Sequence, residues 1–276
     1  MTSEVEPVTP TAPRPVGRTV FTQRWAHLTF LHWAVEPDVV APFLLPGLRP
    51  DTIDGLTYVA LVPFVMQDVG LLGAPRMPYV GDFCETNVRL YSVDEQGRRG
   101  VVFRSLDASR VAPVLVARWG PGLPYVWSRM RFSARPTPAG GTATPPTDGA
   151  ARLPRTAYAA GSVLSYTSRR RWPAGGSSAH PAHPASTVRV RVGDPVTAGP
   201  LEHFLTARWG LHLADRRGRT RYWPNEHPQW PLHAAQVLDL EDQVLEAAGF
   251  PGLVGRPPDS VLHSPGVDVR FGPVLP

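Results

Sequence analysis

Lysine is missing from all 276 positions of this chain, which nevertheless carries 28 basic residues, all of them arginine. Chemistry that needs a side-chain amine is therefore excluded, imine formation with a carbonyl substrate first of all. Cysteine is nearly missing too: Cys84 stands alone, so there is no internal disulfide and no thiolate cage for a metal. No stretch approaches the ~20 consecutive apolar residues of a membrane-spanning helix, and no apolar run behind a basic start marks an export signal. The expectation is a reduced, cytoplasmic protein with no membrane association. GxGxxG, GxxxxGK[ST] and GxSxG do not occur, which leaves dinucleotide, phosphate-loop and hydrolase-elbow readings without support, and no cofactor is expected.

Acidic residues are in deficit, giving a net charge of +5. The arginines are spread over many segments, the densest cluster being Arg169, Arg170 and Arg171. A basic face is not evident in this pattern, and no nucleic-acid partner is expected. Nine histidines invite a metal reading. However, His27 and His32 fall on opposite faces of a strand, His180 and His183 sit in a Pro/Ala loop, and HExxH is absent, so no metal site is expected.

Beta structure dominates what is present. Residues 1–16 hold four prolines and no aromatic residue, a composition that predicts a disordered tail ahead of a single domain over 17–276. FTQRWAHLTFLHWAV reads as a central strand. Glu36-Pro37 opens a short helix, and Asp54-Gly55 predicts a hairpin between LRPDTI and LTYVALVPFVMQ. DFCETNVRLYSV and GVVFRSLDA make a second hairpin, Ser109 is placed to cap a helix over RVAPVLVARWG, and PYVWSRMRFSAR is a further strand. Strands over 155–168 and 187–192 are separated by a soft insertion near 169–186, and another insertion lies near 135–154. A helix at 199–209, a hairpin about Arg217-Gly218, a strand near 231–239, a helix at 240–248 and a strand near 266–271 complete the chain. Many antiparallel strands with few short helices predict a β-rich α+β fold, a strongly curved sheet closing on itself.

Period-two alternation places Glu85, Asn87, Arg89 and Tyr91 on one face of a strand. They form either the wet face of an open sheet or the wall of a cavity, where Glu85 and Arg89 can neutralise each other. Ser105 and Asp107, in SLDA, sit at a strand mouth, with an N-cap role for Asp107 equally open. Tyr125 and Arg129 share a face, with Trp127 between them. Cys84 reads as a buried structural thiol.

Taken together, LTFLHWAV, FLLPGL, DFCETNVRLY, VVFRSLDA, RWGPGLPYVWSRM, HPQWPLHAAQVLDL and HSPGVDV resemble the uncharacterised bacterial YqjF-like family of the acetoacetate decarboxylase-like superfamily. The resemblance covers about residues 20–271. It implies a cone-like β-barrel with a central cavity and helices outside, and it favours the cavity reading for Glu85, Asn87 and Arg89. It also implies that the superfamily's Schiff-base lysine would follow a Gly-x-Pro like Gly122-Leu123-Pro124, where this chain has Tyr125. A phenol cannot form an imine, so decarboxylation by that route is ruled out. His263 stands where the family pattern leads one to expect an aromatic residue, and His227 is matched to a polar position at the cavity mouth.

Two functions are then open. One is an enzyme moving a proton on a small organic acid or enolisable metabolite, with Tyr125 as acid or base, Glu85 as its partner, and Arg89 or Arg129 holding a carboxylate. The other is a binding protein that keeps the cavity for a small organic ligand, with Asn87, Ser105, Asp107 and His227 among the groups that orient it. A homo-oligomer is compatible with either.

Overall fold

The computed structural model describes residues 4–71, 82–110, 123–137, 144–147, 157–172 and 183–276. The first long aromatic segment forms strand β1 (Phe21–Val35), and it is central, pairing antiparallel with β3 (Thr57–Leu71) on one side and β13 (Ser260–Phe271) on the other. Between β1 and β3 run the short helix α1 (Pro37–Val40), opened by proline in its first turn, and the two-residue strand β2 (Arg49–Pro50). The Asp54-Gly55 turn exists, both residues having positive φ (50° and 82°) as a tight hairpin turn requires. Its flanks differ from expectation: the turn is closed only by the Ile53–Leu56 bridge, and β2 pairs with β4 (Phe83–Val93) instead of β3. Asp51 N still donates to Tyr91 O at 3.0 Å just past β2, so this segment stays against β4.

Strand β4 and β5 (Arg99–Ala108) form the second expected hairpin. The helix expected over RVAPVLVARWG lies almost wholly outside the described residues; the Ser109 hydroxyl instead accepts the Cys84 backbone N–H at 3.0 Å. β6 (Tyr125–Arg135), β7 (Thr144–Thr147), β8 (Val163–Trp172) and β9 (Ala185–Pro195) follow. β8 begins later than expected and runs through Arg169–Trp172, so that part of the expected 169–186 insertion is strand. Its alternating buried and exposed residues (Tyr166, Ser168 in; Thr167, Arg169 out) explain why. Helix α2 (Pro200–Thr206), the β10 (Gly210–Ala214)–β11 (Thr220–Glu226) hairpin, β12 (His233–Asp242) and helix α3 (Val244–Ala247) lead into β13. The helix expected over 240–248 is shorter because β12 continues to Asp242.

The pairings close into rings. One runs β1-β3-β4-β5-β10-β11-β13 and returns to β1; a second leaves β5 through β6, β8, β9 and β12 and returns at β13. β5 can serve both because it pairs in parallel with β10 at one end and with β6 at the other. The wall β1-β3-β4 is therefore buried on both faces. Phe30, Tyr58, Ala60, Phe64 and Tyr91 pack on one side of it, and Leu31, Val59, Leu61, Val88 and Leu90 pack on the other. This double burial is why LTYVALVPFVM reads as a nearly continuous apolar run. Pro63 is tolerated mid-strand because the β1–β3 ladder breaks there: four β1 residues, among them His27 with φ of 51°, face three of β3.

Residues 4–20 contain no strand or helix and run as a strap along the body. Glu6 N donates to Gly97 O at 3.0 Å, Trp209 Nε1 to Thr9 O at 3.2 Å, and Val16 N to Glu226 at 3.0 Å. Backbone groups of the strap find fixed partners that its own side chains do not advertise.

Candidate functional site

Glu85, Asn87, Arg89 and Tyr91 do share one face of β4, the side of Phe83 and the first ring's core, while Cys84, Val88 and Leu90 face the second ring. Glu85 is 2 % exposed. Its neighbours across the ladders are Phe64 and Ala108, and the small Ala108 leaves room beside it. One strand further, β6 lies parallel to β5 with Tyr125 level with Leu106 and Trp127 level with Ala108, so Tyr125 comes onto the same face as Glu85. Its hydroxyl donates to Glu85 Oε2 at 3.0 Å.

Burial pushes the Glu85 carboxyl up to about 8; the hydrogen bonds from Tyr125 and Asn87 pull against this, and the nearby Asp107 charge adds to it. The Tyr125 hydroxyl is pushed well above its ordinary range by burial and then by Glu85 itself. The group poised near neutrality is Glu85. Asn87 Oδ1 is buried with no donor among the described residues.

Arg89 does not neutralise Glu85. Its guanidinium turns the other way, donating from Nη2 to Leu205 O at 2.9 Å and to the Tyr91 hydroxyl at 3.2 Å, and lying over the rings of Phe30 and Tyr91. Two steps of i+2 separate Glu85 from Arg89, about 13 Å along a strand, which is too far for an ion pair. Arg129 lies on the face of β6 that Tyr125 uses, but it is exposed to solvent. Beyond Trp127 this face leaves the first ring and becomes the outside of the second.

Ser105 and Asp107 face the second ring, opposite Glu85, because Asp107 pairs with Thr86 and Ser105 with Val88. Asp107 is fully buried inside β5 and caps no helix among the described residues. It accepts from the Ser105 hydroxyl at 2.6 Å, the Ser128 hydroxyl at 2.8 Å and Arg170 at 2.9 Å. Ser128 and Arg170 were not anticipated. The signal for Arg170 was available, since alternation through YTSRRRW turns it inward with Tyr166 and Ser168 while Arg169 points out. This cluster joins β5, β6 and β8 where the second ring leaves the first.

His227 is buried between Trp209 and Trp230, with ring centroids at 4.5 and 4.9 Å, and its Nδ1 bonds Pro228 O at 2.8 Å. Burial lowers it to about 4, and it is packed among aromatic rings. His263 is fully buried and is held down to about 3 by burial and by its neighbours His27 and His233. Cys84 is 4 % exposed, within the core.

Comparisons with known proteins agree with this architecture. Uncharacterized protein YqjF of Bacillus subtilis (strain 168) is 26 % identical over 261 residues, covering 94 % of this chain and 93 % of that protein. An acetoacetate decarboxylase-like enzyme from Sphingomonas wittichii RW1 superposes with a TM-score of 0.60 at 13 % identity, covering 99 % of this chain and 98 % of the other. The enduracididine biosynthesis enzyme MppR does so with a TM-score of 0.54 at 15 % identity, covering 95 % and 89 %. At these identities the two structures establish a shared fold. The model of DUF2071, described as an uncharacterized conserved protein, matches residues 22–268, and the chain belongs to that family.

Proposed function

We propose that this protein moves a proton on a small enolisable carbonyl compound or organic acid, with Glu85 as the acid/base group and without covalent attachment of the substrate. The observation that carries this reading is Glu85 itself: a buried carboxyl raised to about 8, oriented by Tyr125, beside an Asn87 carbonyl oxygen that has no donor among the described residues. A carboxylate of that basicity is a stronger base than an ordinary glutamate and is still partly ionised near neutral pH. It would take the proton next to the substrate carbonyl, the C–H electrons passing to the carbonyl oxygen, and return it to the same or a neighbouring carbon. Asn87 Oδ1 would accept a hydrogen bond from a hydroxyl of the substrate.

Tyr125 holds the carboxylate in this reading and does not itself transfer the proton. The MppR enzyme of the same fold has been described in complex with pyruvate, which is consistent with a small keto compound as the substrate class. Incubation with a panel of keto and hydroxy acids in heavy water, read by mass, is the test. Deuterium uptake that disappears in Glu85→Gln and falls in Tyr125→Phe is expected. Binding of a panel compound without exchange would instead establish a ligand-binding protein.

A further inference from the structure

The outer face of the second ring gathers arginines that are far apart in sequence. Arg129, Arg131 and Arg135 on β6, Arg169 on β8, and Arg189 and Arg191 on β9 are all exposed. The register puts them on one face: Arg129 pairs with Arg169, Arg131 with Thr167 and on to Thr187, Ser133 with Ser165 and on to Arg189, and Arg135 with Val163 and on to Arg191. Rows repeat about every 6.7 Å along the strands and columns about every 4.8 Å across them. Between the guanidinium groups lie hydroxyls. Trp172, at the end of β8 opposite Trp127, is 46 % exposed.

Arginine is common everywhere on this molecule, and several arginines elsewhere are paired. Arg24 meets Asp268, Arg219 and Arg221 meet Asp215, and Arg256 meets Asp259. Among the described residues none of the six on this face forms an ion pair; Arg191 reaches the neutral Gln236 at 3.0 Å. Among the described residues, acidic side chains enter at the β12 border, where Asp239 is opposite Arg189 and Glu241 opposite Thr187. Setting Arg129 directly against Arg169 costs stability through like-charge repulsion. A coding preference for arginine accounts for its number but not for six arginines from three strands sharing one face, with no carboxylate among the described β6, β8 and β9 residues of that face.

We infer that the β6-β8-β9 face binds single-stranded nucleic acid through its phosphates, with Trp172 as a stacking platform for a base. Guanidinium forks and interleaved hydroxyls are phosphate ligands, the row repeat matches the scale on which phosphates succeed one another along an extended strand, and an exposed tryptophan beside a basic track is the usual companion of such binding. An anionic membrane would call for more protruding apolar groups than one tryptophan.

The test is fluorescence anisotropy of the full chain with a labelled thymidine oligonucleotide of about 20 residues, over a series of salt concentrations. The triple variant Arg129→Gln/Arg131→Gln/Arg169→Gln is expected to bind at least ~10-fold more weakly and to flatten the log-affinity against log-salt slope by about 2, roughly 0.7 for each phosphate no longer neutralised. Trp172→Ala is expected to weaken binding about 5-fold or more at every salt concentration. The charge-matched control Arg18→Gln/Arg49→Gln/Arg217→Gln removes exposed arginines elsewhere and is expected to bind as the parent does. Equal losses in both triple variants would overturn the site, leaving only net charge. Tighter capture of phosphatidylserine vesicles or polyglutamate than of the oligonucleotide would overturn the choice of nucleic acid. Circular dichroism of each variant confirms that the strands are retained.

Discussion

At the scale of single residues, the buried Glu85 leaves a thermodynamic signature. Its folded-state affinity for a proton exceeds that of an exposed glutamate, so the folded protein binds more protons than the unfolded chain between the ordinary carboxylate range and about pH 8. Stability is therefore full below the unfolded value, declines as pH rises, and stops declining above the folded value. A shift of this size corresponds to on the order of 5 kcal/mol across that window. Glu85→Gln, neutral at every pH, should change unfolding midpoints little at pH 4 and raise them progressively up to about pH 9, as urea titrations would show. A difference independent of pH would mean that Glu85 is ionised inside the fold. Tyr125 was the residue singled out by its place after Leu123-Pro124, and burial with the adjoining carboxylate raises its phenol well above the ordinary range.

The elements gain their positions from polar groups at the seams. Helix α2 ends inside the first ring, where its last carbonyls need donors. Arg89 and the Tyr91 hydroxyl serve Leu205 O, Arg208 serves Phe204 O, and Trp230 Nε1 serves Thr206 O at 2.9 Å. Arg89 thus fixes a helix end, a task invisible from its strand alone. At the other seam Arg170 and Asp107 tie β8 to β5 across β6. Arg170→Leu leaves the Asp107 carboxylate buried and unpaired and should destabilise by about 3–5 kcal/mol in urea, whereas Asp107→Leu/Arg170→Met together should cost much less. If the double variant is as unstable as the single one, the cluster's hydroxyls and not its charges hold the seam.

For the whole molecule, the two rings share the wall β13-β1-β3-β4-β5, and the strap of residues 4–20 runs past Gly97 and Trp209 to Glu226. Removing residues 1–15 takes away the bonds to Gly97 and Trp209, and should lower the thermal midpoint by several degrees while leaving the strand signal in circular dichroism unchanged. An unchanged midpoint would show that the strap adds nothing to the folded state. The basic outer face belongs to this scale as well, because three strands and two long connections are needed to assemble it.

Much of the fold was legible in the sequence because strand patterns are local. Alternation identified β1, β4, β6 and the face shared by Glu85, Asn87 and Arg89, and the missing lysine excluded imine chemistry without any coordinates. Motifs such as ExNxRxY and SLDA carried the family. What tertiary structure alone decided was which face of each strand met which other strand. Ser105 and Asp107 lie close in sequence to the residues that approach Glu85 but were turned into the other ring by pairing register, and Arg89 was claimed by a helix that begins more than a hundred residues later. The arginines read as scattered along the chain became one surface. Sequence spacing records neighbours along a strand, whereas charge, burial and proton affinity are set by neighbours across strands, and those are chosen only when the sheet closes.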